Sequence, residues 1–314
     1  MKTILVTGSN GLLGQKLVYN LINRKDVKLI ATSIGENRLI KKDGYIYEPL
    51  DITSKAEVEN IIAKYNPDAV INTAAMTNVD ACETKREECW ALNVTAVKNF
   101  VDAITSNDIG HRTSDIGHHT HFIHLSTDFI FDGEKGSEYV ETDEPNPQSY
   151  YALSKWEGEK LVQQSNIKWA IARTIIVYGI VDNMSRSNIV LWAKDALTKG
   201  QKINVVDDQF RSPTLAEDLA EGCINIADKG ATGIYNLSGK ETMSVIDLVY
   251  TVANFWKLDK SLITPIKSNT LNQAAKRPPR TGFIIDKAKR ELNYHPHSFM
   301  EGLEILNKQL SATN

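Results

Sequence analysis

Tyr151 and Lys155 are the residues of this chain whose types and spacing most directly suggest chemistry. Residues four apart lie on the same face of a helix, so the phenol and the ammonium can act at one site. A neighbouring cation favours the phenolate, and we therefore expect the pKa of Tyr151 to lie below its ordinary value of about 10. Such a tyrosine can donate or accept a proton if a reactive group binds beside it.

A glycine-rich segment near the start of the chain suggests what that reactive group is. Gly8, Gly11 and Gly14 follow the apolar run 4–6 and precede apolar residues at helical spacing in 12–22. Glycines in a strand-to-helix turn let backbone N–H groups reach a pyrophosphate at the helix N-terminus. A plain turn is the alternative, but a position in the first strand–helix unit favours a dinucleotide site. With Tyr151, this predicts hydride transfer at a carbonyl or alcohol.

Ser126 and Thr127 carry hydroxyl groups at the end of a predicted strand, and Thr127 lies 24 residues before Tyr151. A hydroxyl there can hydrogen-bond a substrate carbonyl or the Tyr151 phenol. Taken alone, these residues would be interpreted as a strand-end turn that caps its own backbone. The coincidence with Tyr151 and the glycine turn favours a role at the site.

Strands that alternate with helices predict an α/β fold with a doubly wound parallel sheet (Rossmann) and a smaller, irregular C-terminal lobe. We assign residues 1–179 to the dinucleotide-binding domain, expect 203–239 to return to it, and assign 180–202 and 240–314 to a substrate lobe. The ligand crevice should lie at the carboxyl ends of the strands. The residues expected near that edge are Thr7, Thr32, Asp51, Asn72, Ser126 and Arg173.

Composition excludes several classes of protein. The 314 residues carry a net charge of -3, which provides no electrostatic footprint for nucleic acid or an anionic membrane. No apolar run reaches the length of a membrane span, and we expect a cytoplasmic protein. Cys82, Cys89 and Cys223 are unpatterned, and we interpret them as buried small hydrophobes rather than as a disulfide or a zinc site.

Residues 106–120 stand out as a repeat, because Asp-Ile-Gly-His occurs at 108–111 and again at 115–118. The segment joins a predicted helix, 87–104, to a strand that needs only a short connection, so we interpret it as a surface insertion. His111, His118, His119 and His121 form a tract of a kind that can bind metal. The irregular residues between them favour a solvated loop, and no metal site is predicted.

In this order along nearly the whole chain, the motifs resemble the extended short-chain dehydrogenase/reductases, and most closely the dTDP-4-dehydrorhamnose reductase branch. The matching segments are 7–14, 72–75, 79–83, 126–133, 151–155, 173–174, 177–179, 208–210, 213–214 and 277–280.

The resemblance implies an NAD(P)H-dependent reductase of a nucleotide-linked 4-keto sugar, with Thr127, Tyr151 and Lys155 as the catalytic set. Lys155 would also hold the nicotinamide ribose. The other implied cofactor-binding residues are Gly8, Asn10, Gly11, Leu12, Leu13, Gly14, Asp51, Ile52, Ala74, Ala75, Met76 and Asn93. The candidate substrate residues are Ser126, Asp128, Arg277 and Arg280, the two arginines because guanidinium groups suit a diphosphate.

The choice of cofactor depends on the end of the second strand, where an acid binds the adenosine 2′-hydroxyl of NAD and a basic residue accommodates the phosphate of NADP. Here Thr32 and Ser33 are followed by Ile34, and Glu36 and Arg38 lie a little further on. Small hydroxyl side chains admit a phosphate that Arg38 can reach. The sequence therefore favours NADP(H), with NAD(H) as the alternative.

Ile176 departs from the reductase pattern, since rhamnose-type reductases commonly carry a tryptophan at that place. A dehydratase is disfavoured, because similar dehydratases add an Asp-Glu pair after the strand-end threonine and here Phe129 follows Asp128. An epimerase that retains NAD stays open, as does a non-catalytic, nucleotide-sensing regulatory subunit. Relatives of the latter kind tend to lose the catalytic tyrosine, which this chain keeps. The sequence does not determine the oligomeric state, and a homodimer is one of the assemblies left open.

Overall fold

The computed structural model of the protein describes residues 1–110, 119–183 and 187–312. Within these residues no helix combines the length and the apolar character that crossing a membrane requires.

The strands and helices alternate over most of the chain. The strands are β1 (Lys2–Thr7), β2 (Val27–Ser33), β3 (Ile46–Pro49), β4 (Ala69–Asn72), β5 (His121–Thr127), β6 (Lys168–Thr174), β7 (Val177–Tyr178), β8 (Ile203–Val206), β9 (Phe210–Arg211), β10 (Thr214–Leu215), β11 (Gly233–Asn236), β12 (Met243–Ser244), β13 (Ile263–Ile266) and β14 (Arg280–Thr281). The α-helices are α1 (Leu12–Leu21), α2 (Lys55–Tyr65), α3 (Val79–Thr84), α4 (Arg86–Trp90), α5 (Ala96–Gly110), α6 (Tyr150–Gln163), α7 (Ile189–Thr198), α8 (Ala216–Lys229), α9 (Val245–Phe255), α10 (Asp286–Leu292) and α11 (Phe299–Ala312).

The main sheet has seven strands in the order β11-β6-β5-β4-β1-β2-β3. All of its neighbouring pairs run parallel. The predicted doubly wound sheet is therefore confirmed, and its strand order reverses between β1 and β4, where Thr7 pairs with Asn72. In open α/β sheets this reversal is where ligands bind, outside the carboxyl ends of the strands.

Helices cover both faces of this sheet, which explains why its central strands are apolar along their whole length. Side chains of β1 alternate between two cores: Ile4 and Val6 pack on the side of α1 and α8, and Leu5 packs on the side of α2 and α5. The N-cap of α2 is Ser54, whose hydroxyl accepts the backbone N–H of Glu57.

The second lobe has a core of its own, built around α7, α9 and the first turns of α11. Some of its strand pairings cross the predicted boundary between the two domains. The rest of that domain division remains a prediction. Residues 203–211 were expected in the main domain, but β8 pairs with β13, and β9 pairs with β12 and β14. Of the predicted return segment 203–239, α8 packs on the main domain against α1, and β11 pairs with β6 at the edge of the main sheet. From the segment expected in the substrate lobe, α10 packs against α8 and β11.

The proposed insertion at 106–120 begins later than predicted. From Arg86 the chain is helical through α4, a π-helical turn (Ala91–Thr95) and α5, which continues to Gly110. Asp108 is buried and accepts the backbone N–H of Thr120, and the Thr120 hydroxyl donates to the carbonyl of Pro67. Both ends of the segment therefore pack on the domain, and replacing 106–120 as a whole would remove buried contacts. Residues 111–118, with His111 and His118, lie outside the described part of the chain.

Candidate functional site

A cavity of about 1010 Å³ lies along the carboxyl edge of the main sheet and extends under the second lobe. Most of the predicted site residues line it. The lining residues from the predicted set are Gly8, Asn10, Gly11, Leu12, Leu13, Gly14, Ser33, Asp51, Ile52, Ala74, Ala75, Ser126, Thr127, Asp128, Tyr151, Lys155 and Arg277. Arg38, Met76, Asn93 and Arg280 are not among the lining residues.

The glycine turn has the geometry of a cradle for a pyrophosphate. Gly8 has a φ of 63°, and a side chain there would come within 2.8 Å of Thr73 Oγ1 and 2.9 Å of Ala74 N. A Cβ on Gly14 would lie 2.2 Å from the carbonyl oxygen of Gly8. Gly11 is the N-cap of α1 and provides no side chain to satisfy the first N–H groups of the helix. These donors therefore face the cavity, as a dinucleotide phosphate requires.

The far end of the cavity contains Ser33, Asp51 and Ile52. The Asp51 carboxylate is fixed by Thr53, whose backbone N–H and hydroxyl donate to Oδ1 at 2.9 and 2.7 Å. Arg38 is exposed beside this end, and its backbone N–H donates to Asn10 Oδ1 at 2.8 Å. Arg38 thus stands at the rim of the cavity rather than in its wall.

Asn93 supports the wall without forming it. The π-helical turn directs its side chain at the loop after β4, where Oδ1 accepts the N–H of Met76 at 2.9 Å and Nδ2 donates to the Met76 carbonyl at 3.1 Å. Nδ2 also donates to the hydroxyl of Ser154 at 2.9 Å, which ties this loop to α6. Asn93 and Met76 therefore have positions that can hold the neighbouring Ala74 and Ala75 in place.

Tyr151 is buried at the cavity wall, in the first turn of α6. Burial raises its pKa well above the ordinary value, the charge of Asp128 adds to the rise, and the hydroxyl of Thr127 opposes it. The prediction that Lys155 lowers the pKa of Tyr151 is therefore wrong for the protein by itself. A raised pKa keeps the phenol protonated at neutral pH, which suits a proton donor.

Lys155 lies one turn further along α6, and only 3% of it is exposed. Its Nζ donates to the carbonyl of Leu125 at 2.6 Å and lies 3.4 Å from Nε2 of His124. Burial lowers its pKa to about 8, although the charge of Glu159 partly opposes this. The amine is therefore close to its titration point at neutral pH.

Asp128 is buried beneath the catalytic candidates and has a cationic neighbour that sequence reasoning missed. The hydroxyl of Thr127 donates to its Oδ1 at 3.1 Å, the hydroxyl of Thr281 donates to Oδ2, and Nε of Arg211 lies 3.9 Å from Oδ2. Burial raises the pKa of Asp128, and the guanidinium of Arg211 counteracts that rise. Burial lowers the pKa of Arg211 in turn. Arg211 also lines the cavity.

The two arginines proposed for substrate binding occupy different places. Arg277 lines the cavity, and its guanidinium is held by Asp80 at 2.7 Å. Arg280 pairs with Glu138 at 3.0 Å and stacks over Phe210, away from the cavity. The structure therefore brings only Arg277 to the site.

Neighbouring strand ends add two further hydroxyls to the wall. Ser126 on β5 and Thr174 on β6 both line the cavity, and neither hydroxyl has a hydrogen-bond partner among the described residues. Thr174 was missed by sequence reasoning, although its register opposite Thr127 is the kind of signal that predicted strands can supply. Ile176 also lines the cavity and has a φ of 32°, which is rare for a β-branched residue.

No cluster of metal-ligating side chains is present in the described ranges. His119 is exposed 3.6 Å from Asp108, whereas His121 is buried on β5. All three cysteines are free and buried.

Known proteins resemble this chain over nearly its whole length. The family model described as the RmlD substrate binding domain matches residues 1–311. A dTDP-4-dehydrorhamnose reductase from Aggregatibacter actinomycetemcomitans is 30% identical, over 97% of this chain and 98% of that protein. The beta subunit of methionine adenosyltransferase 2 from Mus musculus is 26% identical, over 94% of this chain and 92% of that protein.

Solved structures agree with these relatives. A dTDP-4-dehydrorhamnose reductase from Clostridium acetobutylicum superposes with a TM-score of 0.85 at 28% identity, covering 98% of this chain and 99% of that one. A dTDP-4-dehydrorhamnose reductase from Bacillus anthracis in complex with NADP has a TM-score of 0.80 at 25% identity and covers 98% and 100%.

Proposed function

The chain belongs to the RmlD substrate binding domain family, nicotinamide-dependent oxidoreductases of the extended short-chain type, and we propose that it reduces a nucleotide-linked 4-keto sugar. One observation carries the proposal: Thr127, Tyr151 and Lys155 line the same cavity as the glycine turn. The turn fits the pyrophosphate of a dinucleotide, and the remaining volume extends toward the second lobe.

Each catalytic residue has a role that its surroundings support. When bound, a nicotinamide supplies the hydride for the carbonyl carbon. Tyr151 donates a proton to the oxygen that becomes an alkoxide, because burial keeps its phenol protonated at neutral pH. Thr127 contacts the phenol and orients it. Lys155 holds the ribose and stabilises the phenolate that remains after the proton has left.

The substrate half of the cavity supports a sugar nucleotide. The unpartnered hydroxyls of Ser126 and Thr174 suit the hydroxyls of a sugar, since a polar group buried without a partner costs free energy until a ligand bonds it. Arg277, held by Asp80, suits the diphosphate.

The test is a substrate screen with dTDP-, UDP- and GDP-linked 4-keto sugars in which the loss of NADPH absorbance is followed. We expect turnover of at least one of them and a fall of about 10²–10⁴-fold in the Tyr151→Phe variant, which loses its proton donor. Retained turnover in that variant would contradict the catalytic assignment.

NADPH is the proposed cofactor, since no acid stands among residues 32–35 and Ser33 lines the far end of the cavity. Fluorescence titration should show tighter binding of NADPH than of NADH. A Ser33→Asp variant should reverse the preference, because a carboxylate repels the 2′-phosphate and accepts a 2′-hydroxyl. Tighter binding of NADH by the unaltered protein would exclude this assignment.

A regulatory subunit is the second candidate, favoured by the similarity to the methionine adenosyltransferase beta subunit. Binding of NADPH without turnover of any sugar nucleotide in the screen would favour it. A cytoplasmic location is supported by three free, buried cysteines, and a homodimer remains a prediction that sedimentation of the purified protein can test.

A further inference from the structure

A chain of buried hydrogen bonds runs beneath the cavity and ends at Lys155. It connects four side chains from four neighbouring elements: Thr7 at the end of β1, Asn72 at the end of β4, His124 on β5 and Lys155 on α6. The three links measure 2.7, 3.2 and 3.4 Å. None of the four residues is more than 3% exposed.

The direction of the first link is fixed by the backbone. Thr7 Oγ1 accepts the N–H groups of Thr73 and Ala74 at 3.1 and 3.2 Å. Its own hydrogen is therefore donated to Asn72 Oδ1. This places the amide nitrogen of Asn72 toward His124, where Nδ2 can only donate to Nδ1.

The second link then fixes the tautomer of His124. Burial lowers the pKa of His124 well below its ordinary value, so the ring is neutral. A neutral imidazole has one N–H, and Nδ1 is occupied as an acceptor, so the hydrogen lies on Nε2. That N–H points at Nζ of Lys155, which already donates to the carbonyl of Leu125.

An ammonium has no lone pair, so Lys155 can accept this hydrogen only as a neutral amine. We propose that His124 is a positioning residue for Lys155, which presents an Nε2–H to Nζ and thereby favours the uncharged amine while the cavity holds no ligand. The catalytic consequence rests on the proposed function, since groups in the cavity that accept hydrogens from Lys155 would shift this balance toward the ammonium.

Other groups around the two side chains do not supply this effect. Glu159 on α6 acts on Lys155 in the opposite sense, favouring the ammonium, and Cys89 on α4 is a buried, free thiol. Glu159 is itself paired with Arg173 at 2.8 Å. The ring of His124 stacks on Phe122, and Gly158 lies beside it on α6, where a Cβ would come within 2.7 Å of the carbonyl of Asn93. A histidine that merely fills the core would need neither a fixed tautomer nor Lys155.

The tautomer can be read directly by ¹⁵N NMR of the whole protein labelled at histidine, with the His124 signals assigned from a His124→Asn variant. We expect a neutral ring with its hydrogen on Nε2 throughout roughly pH 5–9, where free histidine would titrate. An Nδ1–H tautomer or an imidazolium in this range would overturn the proposal. The readout needs no substrate, so failure of the reductase assignment would not affect it.

Two variants test the effect on Lys155, whose titration can be followed by the ¹³C signal of its ε-carbon. In His124→Asn the amide oxygen can still accept from Asn72, but no N–H reaches Nζ, and the pKa of Lys155 should rise by roughly one unit. In Asn72→Asp the carboxylate accepts from Nδ1, which moves the hydrogen off Nε2 and lets that nitrogen accept from the ammonium. The pKa of Lys155 should then rise further. An unchanged or lowered Lys155 pKa in both variants contradicts the proposal.

Discussion

Two buried arginine–carboxylate pairs differ in how closely the guanidinium approaches its carboxylate. Arg173 donates to Glu159 from Nε at 3.0 Å and from Nη2 at 2.8 Å, and its Nη1 donates to the carbonyl of Glu141 at 3.1 Å. Neither Arg173 nor Glu159 lines the cavity. Arg211 and Asp128 are equally buried, but Nε of Arg211 is 3.9 Å from the carboxylate and both residues face the cavity.

This difference distinguishes a charge pair that stabilises the fold from one that can act at the site. The pair of Arg173 is closed by its own neighbours, so it braces β6 against α6 and has no capacity left for a ligand. Arg173 was expected at the crevice edge, yet its side chain points into the core. The pair of Asp128 is loose, and burial leaves the carboxylate with a raised pKa beside Thr127. Perturbed groups in a cleft are typical of functional sites.

Glu159→Gln should therefore have the largest effect on stability. It leaves the guanidinium of Arg173 buried without a counter-charge, which costs about 3–5 kcal/mol of the free energy of unfolding. Urea denaturation measures this loss. The matched control is Glu157→Gln on the same helix, whose half-exposed pair with Lys160 is worth only about 0–1 kcal/mol. Equal losses in the two variants would show that the buried pair is not special.

Arg211→Met tests the open pair and should affect catalysis more than folding. Without the guanidinium, Asp128 can take up a proton and stay neutral, so the fold loses less than in Glu159→Gln. The hydroxyl of Thr127 then loses a charged acceptor, a bond worth about 1.5–3 kcal/mol. We expect kcat/KM to fall roughly 10- to 100-fold, together with a smaller loss of stability than in Glu159→Gln, because the carbonyls of Phe210 and Pro278 lose the N–H groups that Arg211 donates to them.

Arg280→Met is the control for Arg211, since Arg280 also belongs to the lobe boundary but pairs with Glu138 outside the cavity. Its kcat/KM should stay within about twofold of the unaltered protein, because exposed ion pairs contribute little. A loss in Arg280→Met as large as that in Arg211→Met would mean that both arginines act through the packing of the second lobe.

The cofactor half of the cavity could be predicted because its determinants are local. Gly8, Gly11 and Gly14 lie within one strand–turn–helix unit, and the order of such units predicts which strand ends meet. The substrate half depends on contacts that no local pattern reports. Thr281 bonds Asp128 across 153 residues, and Arg211 reaches the same carboxylate through pairing of β9 with β12 and β14.

The pKa of Tyr151 shows a different limit of sequence reasoning. The spacing from Lys155 was right in placing both residues in the wall of one cavity. The spacing does not show that Tyr151 is buried. Burial raises the pKa of Tyr151, whereas a nearby cation would lower it. Burial depends on the long-range packing of α3, α4 and α6 around the ring.

His121 on β5 is another buried ionisable group, and no carboxylate among the described residues pairs with it. Burial, with the charges of Lys168 and Lys2, lowers its pKa to about 4. The folded protein thus binds fewer protons than the unfolded chain. Stability from the neutral ring is present above about pH 6.5 and is lost as the pH falls toward 4. At about pH 5 the loss is about 2 kcal/mol.

A His121→Phe variant should lack this loss, so the difference in stability between the two proteins should grow in favour of the variant between about pH 7 and 5. Urea denaturation at both pH values measures it, and the difference near neutral pH serves as the control for packing. A constant difference across this range would mean that His121 does not titrate as its burial requires.

The smallest effect on stability is expected at Ile176. A substitution there tests whether backbone strain, like the loosely paired charges of Arg211 and Asp128, is found at the cavity. Its φ of 32° is enforced by β10, since Thr214 donates from its N–H to the carbonyl of Ile176 and from its hydroxyl to that of Ile175. Ile176→Gly relieves a backbone strain of about 1–2 kcal/mol but removes apolar contacts of similar size, so the free energy of unfolding should change by less than about 1 kcal/mol.

The same variant should change which sugar is preferred, because Ile176 lines the cavity and a pocket change of this size alters discrimination by about 1–3 kcal/mol. Ratios of kcat/KM for two 4-keto sugar nucleotides should shift roughly 10-fold or more, while the pH dependence set by Tyr151 stays the same. Asn66→Gly is the matched control, since Asn66 has a φ of 40° at the end of α2 and does not line the cavity. If both variants leave the ratio unchanged, Ile176 is strained for the sake of the β7–β10 pairing, and the choice of sugar is made by the hydroxyls of Ser126 and Thr174.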